Sequence, residues 1–368
     1  MVSAIHFVGT AGDRVPSALR LRNRYRFARR GFATNASIAD DARTGGADSR
    51  PMAFSHNYPF DPSYGLALGD LLAVDAPPEP PGFAAFWASR YRRARAVDPA
   101  PETHPSGFTH PALVVHDLAY QSTDDHVIRG WLLAPKSRLP VRGFVLGHGY
   151  GGIDEPLVDL PAEDAAFLLP CFRGLARSRR PPISDDPSWH VLHGIDQRDQ
   201  YILGGCVDDL WIGVSALLAL FPALAGSVGY AGTSFGGGIG ALALPWDARI
   251  ARGHLNVPSF GHWPMRLRLA TTGSAAAVQR FAQSHGHIGE TLAYYDAAVA
   301  ARHITQPMHV AAAQFDPAVA PPGQFAVYNA IPGDKQLFPL AAGHFDHPER
   351  VREEHALLAE LGAFFAKL

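Results

Sequence analysis

A serine flanked by glycines lies in the pattern Gly232-x-Ser234-x-Gly236. An apolar run precedes the pattern at 227–231, and a run rich in Ala and Leu follows it at 239–244. This arrangement is typical of a nucleophile elbow, a tight turn from strand to helix that holds the serine hydroxyl above the edge of a sheet. Glycine is needed on both sides because a Cβ atom would collide with the crowded backbone of such a turn. The alternative is an ordinary glycine-rich loop between a strand and a helix.

A nucleophilic serine needs a base that takes its proton and an acid that orients the base. Asp316 follows the apolar run 308–313, which predicts its position at the carboxyl end of a strand, where active sites of open sheets form. An Asx turn or a helix cap is the alternative role for this aspartate. His344 lies behind a glycine, after the next predicted strand at 336–339, where a loop can bring it over the serine. The order Ser234, Asp316, His344 is the one expected of α/β-hydrolases.

The transition state of acyl transfer carries an oxyanion, which needs preorganised hydrogen-bond donors. We expect one donor to be the backbone N–H of Phe235, the residue after the serine. The second should come from Tyr150, in the glycine-rich loop 149–152 that follows the first parallel strand. A glycine turn that only leaves the strand is the alternative for this loop.

A second histidine lies close to the predicted base. His347 is the nearest rival of His344 for that role, and a metal site built from His344, Asp346 and His347 is a further alternative. The cluster lacks an additional pair of residues at ligand spacing, which a closed metal site would require. We therefore predict neither a metal nor a cofactor.

The 368 residues carry a formal net charge of −2, and 47% of them are hydrophobic. This length and composition fit one α/β domain with a large core. The charge balance favours neither nucleic acid nor a membrane surface as partner, and no stretch is expected to reach the roughly 18 apolar residues of a membrane span. Cys171 and Cys206 form no disulfide or metal pattern, so a reducing compartment, the cytoplasm, is expected.

Residues 1–51 differ in composition from the rest of the chain. They are rich in arginine between positions 14 and 30, then small and polar, with no sustained apolar period. This composition predicts a disordered extension, with a single folded domain at 52–368. The segment lacks the apolar core of a secretory signal, whereas a transit peptide and an extension upstream of a true start at Met52 stay as alternatives.

A lead helix is predicted from about Phe83, with aromatic residues at helical spacing on one face. We expect the other face to be basic and solvated, since it carries Arg90, Arg92, Arg93 and Arg95. Two apolar runs at 113–120 and 127–133 predict an antiparallel hairpin at the edge of a sheet. Further strands are predicted at 142–146, 167–172, 227–231, 250–257, 308–313 and 336–339, and further helices at 196–220, 239–244, 290–301, 322–330 and 349–365.

This alternation of short strands and helices indicates parallel βαβ units. The predicted fold class is therefore α/β, with the α/β-hydrolase fold: a mostly parallel, doubly wound sheet with an N-terminal antiparallel hairpin and a lead helix.

From about Phe83 to its end, the chain resembles the acetyl xylan esterase and cephalosporin-C deacetylase family of α/β-hydrolases. The landmarks that carry the resemblance run in order through Gly82-Phe83-Ala84-Ala85-Phe86-Trp87, Gly130-Trp131-Leu132-Leu133, Gly149-Tyr150, Arg173-Gly174, His193-Gly194-Ile195, Gly232 to Gly238, Asn256-Val257-Pro258, Leu292-Ala293-Tyr294-Tyr295-Asp296, Pro321-Pro322, Tyr328-Asn329 and Gly343-His344. The resemblance implies a catalytic triad of Ser234, Asp316 and His344. It also implies Tyr150 and Phe235 as the two backbone oxyanion donors.

The chain departs from the family at three places. Leu175, Phe235 and Phe345 stand where members usually carry Gln, Gln and Glu. These changes predict a pocket that prefers something less polar than an acetylated sugar. Members of the family that the chain resembles form ring-like oligomers through an insertion after Arg-Gly. The matching segment here, 175–189, is short, so the resemblance leaves open whether this protein forms a homo-oligomer.

The predicted function is that of a serine carboxylesterase that removes short acyl groups, acetyl above all, from carbohydrate-like or small-molecule alcohols. A prolyl-oligopeptidase-like serine peptidase is one alternative, although the roughly 90 folded residues before Gly149 are too few for the propeller of such enzymes. A catalytically silent binding protein on the same fold is the other. The intact order of Ser, Asp and His argues against it.

Overall fold

The computed structural model describes residues 50–156 and 158–368, so nearly all of the predicted extension at 1–51 lies outside the described residues. The described strands form one nine-stranded sheet in the order β1-β2-β3-β5-β4-β6-β7-β8-β9. The strands are β1 (Glu102–Pro105), β2 (Leu113–Gln121), β3 (Val127–Pro135), β4 (Arg142–Gly147), β5 (Ala165–Pro170), β6 (Val228–Thr233), β7 (Ile250–Asn256), β8 (Met308–Ala313) and β9 (Lys335–Leu340). The pairings β1·β2, β2·β3 and β3·β5 are antiparallel, and all the others are parallel. The α/β fold with a mostly parallel sheet is thus confirmed.

Helices cover both faces of this sheet. The α-helices are α1 (Leu68–Leu72), α2 (Phe83–Arg95), α3 (Pro187–His190), α4 (Ile202–Leu220), α5 (Phe235–Ala243), α6 (Trp263–Arg266), α7 (Gly273–Ser284), α8 (Ile288–Tyr294), α9 (Ala297–Ala301), α10 (Pro321–Ala330) and α11 (Arg350–Phe365). Alternate residues of a strand point to opposite faces of a sheet. Val145 and Leu168 accordingly enter the core that contains α4 and α5, whereas their neighbours Phe144 and Phe167 enter a second core with α11. A sheet buried on both faces explains the near-continuous apolar strands.

The structure corrects several predicted boundaries. The hairpin β2·β3 is present, but β1 pairs outside it, so the hairpin is not at the edge. The polar β1, with sequence ETHP, lacks the apolar alternation that marks a strand. The helix predicted from 196 begins at Ile202, and the one predicted at 290–301 is divided into α8 and α9 by Asp296, which caps α9 by accepting from the backbone N–H of Ala298. The helix α7 was not predicted.

The predicted solvated face of α2 is wrong at Arg90. Only 6% of this side chain is exposed, and its guanidinium binds both carboxylate oxygens of Asp208 at 2.9 Å. Asp208 and its neighbour Asp209 lie on α4 and are fully buried, and Arg173 pairs with Asp209 in the same way. Two buried carboxylates therefore draw a basic residue of the lead helix into the core.

The central helix α4 corrects the expectation that no stretch is long and apolar enough for a membrane span. Among the described helices it passes that test, with 19 residues and a mean hydropathy of 1.6. However, 83% of its apolar window is buried inside the protein. Its acidic residues Asp208 and Asp209 form ion pairs with Arg90 and Arg173 of the same domain. The helix α4 is therefore a core helix.

Candidate active site

Ser234 lies between the end of β6 and the start of α5, in a conformation that only a tight turn imposes. Its φ and ψ angles are 55° and −109°, a region that non-glycine residues rarely adopt. The backbone N–H of Ser234 donates to the carbonyl of Asn256 at 2.8 Å, which ties the turn to β7. A Cβ atom on Gly232 would lie 2.5 Å from the carbonyl oxygen of Gly236. A larger residue at position 232 would therefore collide with the backbone of the turn, as the sequence pattern predicted.

The three side chains that the sequence selected lie in one hydrogen-bonded line. The Oγ atom of Ser234 is 2.9 Å from Nε2 of His344. Nδ1 of His344 is 2.8 Å from Oδ2 of Asp316. With Nδ1 carrying the proton that it donates to the carboxylate, Nε2 is free to accept the serine proton. This geometry gives the serine a base within hydrogen-bond reach and gives the base an orienting acid.

The carboxylate of Asp316 is fully buried and has every acceptor position in use. Oδ1 accepts from the backbone N–H groups of Ala318 and Val319, at 2.8 and 2.9 Å. Oδ2 accepts from His344 and from Nε2 of Gln324, at 2.9 Å. The turn or cap role considered for this aspartate is thus real, and it coexists with the contact to His344. These bonds fix the orientation of the carboxylate.

A glycine allows the loop of His344 to lie against this acid. A Cβ atom on Gly343 would collide with Oδ2 of Asp316, so a larger residue would displace either the acid or the base. His344 itself has a φ angle of 47°, a left-handed value that is uncommon outside glycine. Burial lowers the pKa of His344, but the charge of Asp316 and its hydrogen bond outweigh burial and raise the pKa above the usual value of 6.5.

The glycine-rich loop 149–152 passes beside the serine. A Cβ atom on Gly149 would be in ordinary contact with the Cβ of Ser234, at 3.7 Å. The backbone N–H groups of Tyr150 and Phe235 donate to no acceptor in the described part of the chain. For Phe235 this follows from its place at the first position of α5, where N–H groups have no partner within the helix. Both groups therefore remain available to an oxyanion.

His148 holds this loop in place, and sequence reasoning missed it. Its Nε2 accepts from the backbone N–H of Phe172 at 3.1 Å, so Nδ1 carries the proton and donates to the carbonyl of Gly149 at 2.6 Å. Burial lowers the pKa of His148 to about 4, which keeps the imidazole neutral and this pattern intact. The side chain of Tyr150 is fixed separately, because its hydroxyl lies 3.2 Å from Nδ1 of His190.

The three places where the chain departs from the family are apolar and packed. Leu175 and Phe235 are buried, and the ring of Phe235 lies 4.2 Å from that of Tyr150. Phe345, beside His344, lies 4.9 Å from Phe315 and 5.5 Å from Phe54. Phe54 belongs to the N-terminal stretch 52–65, which passes beside the loops of the acid and the base. An aromatic cluster of Phe54, Phe315 and Phe345 thus lies at the site, and no local sequence pattern indicated it.

The alternatives for the neighbouring residues find less support. Nε2 of His347 lies 3.4 Å from the carboxylate of Glu353 on α11. Within the described part of the chain, His347 forms no hydrogen bond with Ser234. No group of three or more potential metal ligands occurs among the residues that the structure describes. Cys171 and Cys206 are buried and free.

Comparison with known proteins agrees with this architecture. The acetyl xylan esterase (AXE1) family matches residues 73–354. An acetyl xylan esterase from Paenibacillus sp. R4 shares the fold at a TM-score of 0.71 and 19% identity, with 81% of this chain and 99% of that chain covered. Acetyl Xylan Esterase 1 from Thermoanaerobacterium sp. JW/SL YS485 shares the fold at a TM-score of 0.68 and 18% identity, with 82% of this chain and 99% of that chain covered.

A peptidase is also similar over part of its length. The acylaminoacyl peptidase of Pyrococcus horikoshii has a TM-score of 0.54 and 13% identity, and the match covers 70% of this chain but 42% of that one. This likeness extends to the fold alone. The family match covers most of the chain: the protein is an esterase hydrolase with the α/β-hydrolase fold, and it belongs to the acetyl xylan esterase (AXE1) family.

Proposed function

We propose that this esterase hydrolyses short-chain esters, acetyl esters above all, of carbohydrate-like or small-molecule alcohols through a covalent acyl-enzyme. The observation that carries the proposal is the line of hydrogen bonds from Ser234 through His344 to Asp316, at 2.9 and 2.8 Å. Distances of this size allow proton transfer without rearrangement of the side chains.

In the first half of the reaction, Oγ of Ser234 attacks the ester carbonyl while Nε2 of His344 takes the serine proton. Asp316 holds the imidazole in the required tautomer and stabilises its cation. The backbone N–H groups of Tyr150 and Phe235 donate to the oxyanion that forms on the carbonyl oxygen. When the tetrahedral intermediate collapses, the alcohol leaves with the proton from His344. A water molecule then attacks the acyl group by the same steps, which regenerates Ser234 and releases the carboxylic acid.

The rings beside the site favour a small ester with few hydroxyl groups. Rings stand at two places where relatives usually carry polar groups: Phe235 is buried beside Tyr150, and Phe345 is part of the aromatic cluster with Phe54 and Phe315. A backbone donor does not depend on its own side chain, so Phe235 can serve the oxyanion as well as a glutamine can. We therefore expect simple acetyl esters to be turned over more readily than a heavily hydroxylated acetylated sugar.

The test is a hydrolysis series on p-nitrophenyl acetate, butyrate and octanoate with the wild-type protein and with Ser234→Ala. We expect activity to fall from acetate to octanoate, and the substitution to lower kcat by a factor of about 10⁴ to 10⁶. An inert wild type, or an equally active Ser234→Ala protein, would reject the proposal. Acetylated xylo-oligosaccharides and cephalosporin C then compare the alcohol parts.

Two other functions stay as outcomes of the same series. Hydrolysis of a peptide p-nitroanilide in preference to the esters would favour a prolyl-oligopeptidase-like peptidase, although the described residues before β4 form only two α-helices, one 3-10 turn and three strands. Failure of Ser234 to react with a fluorophosphonate would favour a catalytically silent binding protein. A cytoplasmic location and a homo-oligomer remain proposals, for which fractionation and light scattering are the measurements.

A further inference from the structure

Arg266, at the end of α6, is a buried cation without a counter-ion. Only 6% of the residue is exposed. Its Nε has no hydrogen-bond partner, and within the described part of the chain its guanidinium forms neither a hydrogen bond nor an ion pair. It lies instead over two aromatic rings, with Cζ 5.3 Å from the ring centre of Trp263 and 5.7 Å from that of Phe260. Such rings attract a cation but accept none of its five N–H donors in a directed bond.

A second unsatisfied donor lies in the same region. Tyr201, at the start of α4, is fully buried, and its hydroxyl has no hydrogen-bond partner in the part of the chain that the structure describes. The hydroxyl of Tyr150, by contrast, is taken by His190. Packing connects Tyr201 to Arg266: the ring of Tyr201 lies 4.9 Å from that of Tyr295, whose carbonyl accepts from the indole N–H of Trp263, the ring over which Arg266 lies. Arg266 also interacts electrostatically with Tyr150 and Tyr201. Buried polar groups without partners are rare, and two of them together point to a missing acceptor.

Arg266 is connected by packing to the turn that carries Ser234. The ring of Phe260 is near both Arg266 and the elbow, since its centre is 5.7 Å from Cζ of Arg266 and 5.8 Å from the ring centre of Phe235. Arg266 is also close enough to act on the charge of Asp316 and on the imidazole of His344. Asp316 cannot serve as its partner, since both of its oxygens already accept two hydrogen bonds each.

The loop that leads into α6 is held in a strained conformation. Val257, Phe260 and His262 have φ angles of 42°, 69° and 57°, values that are uncommon for residues with a side chain. The carboxylate of Asp296 fixes the loop by accepting from the backbone N–H groups of His262 and Trp263, at 3.0 and 2.7 Å. Strain of this kind persists only where the surroundings enforce it, and it is concentrated at ligand sites.

We propose that Arg266 and Tyr201 form a carboxylate subsite, and that the esterase prefers ester substrates in which the acyl or the alcohol part carries a carboxylate group. The inference rests on the proposed esterase function and names its substrate class. The free-energy cost of burying the guanidinium of Arg266 is offset when an anion binds, because a planar guanidinium can donate two parallel hydrogen bonds to one carboxylate. Tyr201 supplies a third donor.

Two pairs of probes test the proposal and show which half of the ester carries the charge. For the acyl half, p-nitrophenyl hemisuccinate and hemiglutarate are compared with the butyrate and valerate esters. For the alcohol half, acetylated meta- and para-hydroxybenzoic acids are compared with their methyl esters. The rate in the presence of the Ser234→Ala protein is subtracted throughout, since hemisuccinates hydrolyse by themselves. We expect kcat/KM to be about tenfold to a hundredfold higher for the anionic member of at least one pair.

The substitution Arg266→Gln should abolish this ratio, while the matched control Arg268→Gln, an exposed arginine two residues away, should retain it. If Arg266→Gln does not fold, calorimetry on the Ser234→Ala protein serves instead, with glutarate expected to bind and its neutral diamide not. Ratios close to one with active hydrolysis of p-nitrophenyl acetate would overturn the subsite alone. If the wild-type protein does not hydrolyse p-nitrophenyl acetate, the esterase proposal is overturned. The glutarate titration would still decide whether the carboxylate subsite exists.

Discussion

Gln324 donates a hydrogen bond to Oδ2 of Asp316, the same oxygen that accepts the hydrogen bond from Nδ1 of His344. The amide of Gln324 is fully buried, with its carbonyl oxygen accepting from the backbone N–H of Ala313 at 2.8 Å and its nitrogen also donating to the carbonyl of Val319 at 2.6 Å. Gln324 is therefore a positioning residue, which connects β8, the acid loop and α10 around one carboxylate.

We expect Gln324→Leu to lower kcat for p-nitrophenyl acetate by roughly tenfold, because the loss of one fixed donor loosens the carboxylate that orients the base. The matched control is Gln306→Leu, since Gln306 is also buried and donates to two backbone carbonyls, but at the opposite end of β8. Gln306→Leu should lower the free energy of unfolding and leave kcat unchanged. Equal kcat values for wild type and Gln324→Leu at a temperature where both are folded would contradict this role.

Activity should fall in acid as His344 becomes protonated, because an imidazolium cannot accept the proton of Ser234. The pKa of His344 is raised, since the charge and hydrogen bond of Asp316 outweigh burial, so this acidic limb should lie at a higher pH than an unperturbed histidine would give. Arg266 acts in the opposite direction, as a nearby cation lowers the pKa of His344. Arg266→Met should therefore move the limb to higher pH.

Profiles of kcat/KM against pH for wild type, Arg266→Met and Arg268→Gln measure this shift. The control removes one positive charge from an exposed position near the same loop and should leave the limb in place. A limb that moves to lower pH in Arg266→Met would show that the cation does not act on the imidazole as described.

The aromatic cluster should couple the N-terminal stretch to the loop of the base. Phe54 and Phe345 lie 5.5 Å apart and share the ring of Phe315. In a double-mutant cycle with Phe54→Ala and Phe345→Ala, urea unfolding should give a coupling energy of about 0.5–1.5 kcal/mol. Replacing Phe108, an exposed ring on the loop between β1 and β2 at the opposite edge of the sheet from β9, should show no coupling with Phe345. Additive effects of Phe54→Ala and Phe345→Ala would mean that the rings do not stabilise each other.

Two arginines of α2 bind the carboxylate of Asp208, and they differ in how deeply their side chains are buried. Arg90 contacts Asp208 from inside the core, whereas 48% of the side chain of Arg93 is exposed and it reaches Asp208 at 3.0 Å. We expect Arg90→Met to lower the free energy of unfolding by about 3–5 kcal/mol, because it leaves a buried charge with its main partner missing. Arg93→Met should cost less than about 1 kcal/mol, since water screens an exposed pair. Equal costs in urea titrations would contradict the ranking by burial.

The fold class and the three side chains that lie in one hydrogen-bonded line could be predicted from local sequence patterns. Each was recognisable from local pattern: a serine between glycines, an aspartate directly after the apolar run that forms β8, and a histidine after the strand that forms β9. The carboxyl ends of parallel strands meet at one edge of a sheet, so residues far apart in the chain could be placed together without knowledge of any contact. The loop of Tyr150 was predicted on the same ground.

The other side chains that serve or surround the site are selected by long-range packing. Gln324 is one of several polar residues on α10, and nothing in its neighbourhood along the chain distinguishes it until the helix packs against Asp316. Arg90 has the sequence context of a solvated residue, and its burial is decided by Asp208 on α4, more than a hundred positions away. Arg266 becomes unusual only because folding removes it from water without supplying an acceptor. Local pattern specifies backbone conformation, whereas burial and partnership depend on long-range packing, which no short stretch of sequence contains.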